Sequence, residues 1–172
     1  MRVLGIDPGT HRCGYAVAES AGSKLKVCCY GVFDTQEKNK NLSNAERLFK
    51  IKQGLCGLIE SYKPEALSVE RLFINNNMKT AISVGEARGV ILLCGFESGL
   101  SIAEYTPQQI KSALTGTGAA SKEQVAQMIK VLTGLSEIPK PDDAADAIAC
   151  AICHLQSAPF LEATKRAVLK AV

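Results

Sequence analysis

The sequence predicts a mixed α/β fold, a five-stranded sheet flanked by helices. Two observations lead there. Three apolar runs with short turns between them open the chain, the pattern of an antiparallel meander. Two further short apolar runs then alternate with long stretches of helical period, the order expected of a mixed sheet with helical crossovers. At 172 residues the chain fits one domain with a sizeable core, and its 47% hydrophobic and 22% charged residues are ordinary for a globular protein.

The elements follow in order. Arg2 to Asp7 is the first strand, turned by Pro8-Gly9-Thr10. Gly14–Ala18 and Lys24–Phe33 are the second and third, joined through Ala21-Gly22-Ser23. Asn41 to Tyr62 has helical period, with Leu48, Ile51, Leu55, Leu58 and Ile59 on one face and a Ser43/Glu46 capping box at its start. Lys63-Pro64 ends it, and Ala66–Glu70 is a short buried strand. After Asn75-Asn76-Asn77 comes a long helix, about Met78 to Ser98, and Ser101–Tyr105 is the fifth strand. Pro107 suits the first turn of a further helix. The break Thr115-Gly116-Thr117-Gly118 precedes a helix over Ser121–Thr133, and Asp142–Gln156 is the last clear helix. Residues 1–158 form the predicted domain, and 159–172 an apolar, basic C-terminal extension of unassigned role.

Composition excludes several classes. No run reaches the roughly 18 apolar residues of a membrane helix. The N-terminus enters a strand at once, without a cleavable signal. The expectation is a cytoplasmic protein whose seven cysteines (Cys13, Cys28, Cys29, Cys56, Cys94, Cys150 and Cys153) are reduced and mostly buried. Cys150 and Cys153 have zinc-like spacing, but they lie in an alanine-rich helical run with no second pair. A formal net charge of +3 does not by itself indicate nucleic acid.

The chemistry is carried by acids. Asp7 closes one apolar strand and Glu70 another, while Asp143 and Asp146 share a helix face three residues apart. Singly, each has an ordinary use as turn former, cap or ion-pair partner. Together they make an oxygen-only set suited to Mg²⁺ or Mn²⁺. Two such ions about 4 Å apart bind the attacking and leaving oxygens of a phosphodiester. Asp142 points about 100° away from Asp143 and suits a cap or a supporting contact.

Five motifs stand in order around these acids. They are Leu4-Gly5-Ile6-Asp7-Pro8-Gly9-Thr10 with Gly14-Tyr15, Val69-Glu70-Arg71-Leu72-Phe73, and Gly85-Glu86-Ala87-Arg88-Gly89-Val90. Tyr105-Thr106-Pro107-Gln108-Gln109-Ile110-Lys111 and Asp143-Ala144-Ala145-Asp146-Ala147-Ile148-Ala149 complete the set. In register and in sequence, they resemble the RuvC Holliday junction resolvases, of RNase H-like fold, over about residues 1–156. The resemblance implies that Asp7, Glu70, Asp143 and Asp146 are catalytic metal ligands for Mg²⁺, with Mn²⁺ as substitute and two ions per site. It implies paired symmetric nicks in four-way DNA junctions, leaving 5′-phosphate and 3′-hydroxyl ends, in homologous recombination and DNA repair. A homodimer paired through the long helix, and the RuvA and RuvB branch-migration complex, are its implied partners.

Four residues are DNA contacts by the same resemblance, each with a plainer alternative. Phe73 either stacks on an unpaired base or closes the core edge. Lys111 and Lys122 either hold phosphate or are solvated helix lysines. Arg88 either meets DNA or makes an intramolecular ion pair. His11 and His154 stand outside the ligand set. The strand-turn motif also resembles the phosphate loop of sugar kinases and Hsp70-like ATPases, but this chain lacks their second phosphate loop and is short for two lobes.

Overall fold

The computed structural model describes residues 1–22, 24–36, 41–71 and 78–170. Its elements are β1 (Arg2–Asp7), β2 (Arg12–Ala21), β3 (Lys24–Asp34), α1 (Asn44–Tyr62), β4 (Ala66–Glu70), α2 (Met78–Glu97), β5 (Ser101–Tyr105), α3 (Pro107–Thr115), α4 (Lys122–Thr133) and α5 (Asp142–Lys170). The strands form one sheet in the order β3-β2-β1-β4-β5. β1–β2 and β2–β3 are antiparallel, and β1–β4 and β4–β5 are parallel. The mixed five-stranded sheet is the one the sequence predicts.

Strand alternation decides where the acids go. On β1, Leu4 and Ile6 enter a core with Ile51 and Leu55 of α1 and Ala87 and Ile91 of α2. Val3 turns the other way, toward Ala151 and Leu155 of α5. Asp7, two pleats on from Val3, shares the α5 face. β4 repeats the pattern: Leu67 and Val69 join the α1/α2 core, whereas Ala66 packs with Ala151. Ser68 donates its Oγ–H to the Cys150 carbonyl at 2.8 Å, so Glu70 also falls on the α5 face. Ile6 stands opposite Val69 in the parallel ladder. The next residue on each strand is therefore an acid, side by side with the other.

Local signals set the helix starts. Ser43 and Glu46 form the expected capping box, so α1 begins at Asn44 rather than Asn41. Lys63, at φ 47°, closes it ahead of Pro64. Thr106 caps α3 with Pro107 in its first turn, and Ser121 caps α4. β2 exceeds its predicted length because it pairs with β3 from Arg12 to Ala21. α5 runs unbroken past Pro159, so the expected boundary at residue 158 lies within a helix. A proline removes one helical hydrogen bond. The residues beyond it (Leu, Glu, Ala, Lys and Arg among them) favour continuing the helix.

All seven cysteines are free thiols, with Cys13, Cys94, Cys150 and Cys153 buried. The Cys150/Cys153 pair is part of the α5 core. Among the described residues no helix is long and apolar enough to cross a membrane.

Candidate active site

The ends of β1 and β4 and the first turns of α5 converge through close backbone packing. Gly14 of β2 stands opposite Asp7 in the β1–β2 ladder. A Cβ built on Gly14 would lie 2.0 Å from the Asp143 carbonyl oxygen, and one on Gly5 would lie 2.3 Å from that of Ala147. Residues 143 and 147 are one helical turn apart. α5 thus rests on two glycines, at a distance no side chain permits. That seating brings the helix acids to the strand-end acids.

Asp7, Glu70 and Asp146 line one cleft of about 270 Å³ with Ile110, Lys111 and Lys122. Asp143 does not line it; its Oδ2 meets the Arg12 guanidinium at 2.9 Å. Lys122 Nζ lies 3.6 Å from Asp146 Oδ2. Asp142 lines a neighbouring cavity, beyond the Lys122–Asp146 pair. Asp143 and Asp142 both sit in the first turn of α5, where helix-end N–H groups favour negative charge.

The cleft is short of positive charge. Burial, then repulsion from Glu70, Asp146 and Asp143, pushes the Asp7 carboxyl up to about 8. Burial and repulsion from Asp146 raise Glu70 to about 7, against the pull of Lys122 and Lys111. Burial also raises Asp146, with Lys122 opposing it. These are the shifts of acids gathered without a sufficient counter-charge. An all-carboxylate donor set in that condition fits a hard divalent cation. The set is open rather than preformed: among the described residues, no three acidic, His or Cys side chains stand ready to hold an ion. The two helix acids are instead turned to Arg12 and Lys122.

The other expected site residues divide. Lys111 and Lys122 reach the cleft. Arg88 does not: its guanidinium pairs with Glu104 and ties α2 to β5, so the intramolecular alternative describes it. Phe73 lies outside the described residues. Buried His154 takes its partner from the Tyr105 hydroxyl, 2.8 Å from Nδ1, and burial lowers its pKa. His11 Nδ1 faces Thr10 Oγ1 at 3.4 Å. Neither histidine joins the acids. Sequence reasoning missed Arg12, whose exposed place at the start of β2 gave no sign of a partner in α5.

A mixed sheet with acids on adjacent central strands, faced by an acidic helix start, has the architecture of the RNase H-like fold. The family model for crossover junction endodeoxyribonuclease RuvC matches residues 3–154. The chain belongs to that family. It is 51% identical over 158 residues to the RuvC of Caldicellulosiruptor saccharolyticus, covering 91% of this chain and 93% of the relative. It is 48% identical to that of Caldanaerobacter subterraneus subsp. tengcongensis over 94% and 96% of the two chains. Among solved structures, T. thermophilus RuvC in complex with a Holliday junction substrate superposes with a TM-score of 0.87, at 35% identity over 93% of this chain and 96% of that one. The yeast mitochondrial Holliday junction resolvase Ydc2 shares the fold, with a TM-score of 0.70 at 18% identity over 99% of this chain and 86% of that one.

Proposed function

We propose that this endonuclease resolves four-way DNA junctions in recombination and repair by Mg²⁺-dependent hydrolysis, with Asp7, Glu70, Asp143 and Asp146 as the metal-holding acids. The observation that carries the proposal is the gathering of Asp7, Glu70 and Asp146 in one cleft with Lys111 and Lys122. Two divalent ions held there would activate water and stabilise the departing 3′ oxygen, leaving 5′-phosphate and 3′-hydroxyl ends. The chain's own residues do the rest. Asp7 and Glu70 fix their oxygens on rigid neighbouring strands, where geometry is better kept than on loops. Lys111 and Lys122 line the cleft as phosphate-binding cations and offset the charge of the acids. Arg88, which pairs with Glu104, and Phe73 keep their proposed DNA contacts from their motifs. The test is a synthetic four-way junction incubated with Mg²⁺, Mn²⁺ or EDTA, with cut sites mapped. Symmetric, ligatable nicks are expected in the first two alone; binding without cutting in all three would leave a non-catalytic junction module.

Metal loading follows pH with a definite sign. Metal binds the ionised carboxylates, so it must displace protons that Asp7 and Glu70 retain up to about 8 and about 7. Calorimetric Mn²⁺ titrations are expected to show affinity rising from pH 6 to pH 8, with protons released to the buffer. An affinity independent of pH over that interval would remove the two acids from the site.

A homodimer completes the reading. Ile82, Gly85, Gly89, Leu93 and Phe96 fall on one face of α2 by their spacing. Ile82, Leu93 and Phe96 are 62%, 53% and 75% exposed. Among the described residues nothing lies within 4 Å of a Cβ built on either glycine. Such a stripe is self-complementary about a two-fold axis, and a four-way junction has matching symmetry. RuvA and RuvB are proposed as partners from family membership alone. Phe96→Glu is expected to weaken self-association by about 30-fold or more, the cost of losing an interface anchor. Light scattering should then report monomers and cleavage should yield single nicks; an unchanged dimer would place the interface elsewhere.

A further inference from the structure

The site has a counter-ion arrangement that the hydrolytic reading leaves unused. Each helix acid carries one organic cation, and the cations come from opposite sides. Lys122, from the start of α4, approaches Asp146 at 3.6 Å with 69% of its side chain exposed. Arg12, from the start of β2, holds Asp143 more closely, at 2.9 Å, with 43% of its side chain exposed. Asp7 and Glu70 have no ion-pair partner among the described residues. The neighbouring acid on β3 offers Arg12 no competing bond: Asp34 stands beside it in the ladder, and its Oδ1 accepts the Gln36 backbone N–H at 2.8 Å.

We infer that Arg12 is a built-in competitor of the metal for Asp143, holding that carboxylate in the metal-free site and yielding it when a divalent cation enters. The inference rests on the four-acid metal site proposed above. An Asp143 oxygen engaged by a guanidinium N–H is not free to face a hard cation, and the fixed positive charge repels one nearby. Metal affinity is then reduced by the fraction of sites in which Asp143 is released. A surface-edge ion pair of this exposure is weak enough to be displaced by an incoming ion. Arg12 also ties the start of α5 to β2 through this pair. Arg12 acts through Asp143 and is a positioning residue.

The test compares Mn²⁺ binding by free-Mn²⁺ electron paramagnetic resonance for the intact chain, Arg12→Ala and Arg12→Lys, with Asp7→Asn as the reference for loss of the site. Arg12→Ala is expected to bind Mn²⁺ about three- to tenfold more tightly, with Arg12→Lys between it and the parent. Melting in EDTA should show Arg12→Ala less stable than the parent, and Mn²⁺ should raise its Tm by more than it raises the parent's. A purely structural role for Arg12 would weaken Mn²⁺ binding instead. Equal or weaker binding by Arg12→Ala, with the parent still binding better than Asp7→Asn, overturns the competition alone. Equal binding by the parent and Asp7→Asn overturns the metal site itself and this inference with it. If Arg12→Ala fails to fold without metal, the Arg12→Lys comparison decides: tighter binding than the parent supports competition, and equal or weaker binding overturns it.

Discussion

Asp7→Asn is expected to abolish junction cleavage, by on the order of 10³-fold or more, while making the metal-free protein more stable. Both effects come from the same buried charge. Asp7 sits among three other acids, and its carboxyl is held up to about 8 from an ordinary 3.8. Below about pH 4 the acid is protonated in folded and unfolded chains alike, and its burial is tolerated. As pH climbs toward 8 the unfolded chain has already ionised while the folded site still holds its proton, so stability falls throughout the interval. Asparagine fills nearly the same volume and never ionises. The variant should therefore gain on the order of 2 kcal/mol over the parent at pH 9, and less at pH 5. Thermal melts in EDTA across that range, beside single-turnover cleavage and junction binding, check both halves. Identical melts at every pH would mean that Asp7 is not strained by its neighbours. Near-normal cutting would remove it from the metal-holding set.

The sequence was informative about this site where the governing rule is local. Short apolar runs ending in an acid put Asp7 and Glu70 at strand tips, and the parallel β1–β4 register then made them neighbours on one face. The three-residue spacing placed Asp143 and Asp146 on one side of α5, a capping box marked the start of α1, and Pro107 marked that of α3. What could not be read depends on contacts between segments far apart in the chain. Arg88 carries a family motif, but its partner Glu104 meets it only because β5 lies beside α2. Arg12 meets Asp143 only because α5 crosses the start of β2. The length of α5 was lost for another reason. Pro159 is a strong local stop signal, and the helix-forming residues beyond it outweigh that signal. Gly5 and Gly14 lie between. A glycine inside a strand signals close backbone approach, and both were read as motif letters, but the approaching element was visible only in three dimensions.

Those two glycines carry the second large prediction. Gly14→Ala is expected to cost about 2–4 kcal/mol of stability and to remove most cleavage even where the variant remains folded. The added Cβ would stand 2.0 Å from the Asp143 carbonyl oxygen and 3.3 Å from its Cβ. Backbone cannot rotate out of the way as a side chain can, so the start of α5 must lift or the end of β2 must bend. Either movement shifts Asp143 relative to Asp7, which is Gly14's partner in the ladder. A displacement of about 1 Å among reacting groups can cost about 10²-fold in rate. Gly5→Ala separates destabilisation from misplacement. Its Cβ would also clash with backbone, at 2.3 Å from the Ala147 carbonyl oxygen and 2.6 Å from the Ala151 nitrogen, but one to two turns farther along α5 from Asp143. Both variants should melt early. At a temperature well below both midpoints, Gly14→Ala should show the greater loss of cleavage and of Mn²⁺ affinity. If the two lose activity only in proportion to their lost stability, the glycines serve packing alone. If Gly14→Ala fails at equal folded fraction, the close seating of α5 on β2 is what holds the helix acids within reach of the strand acids.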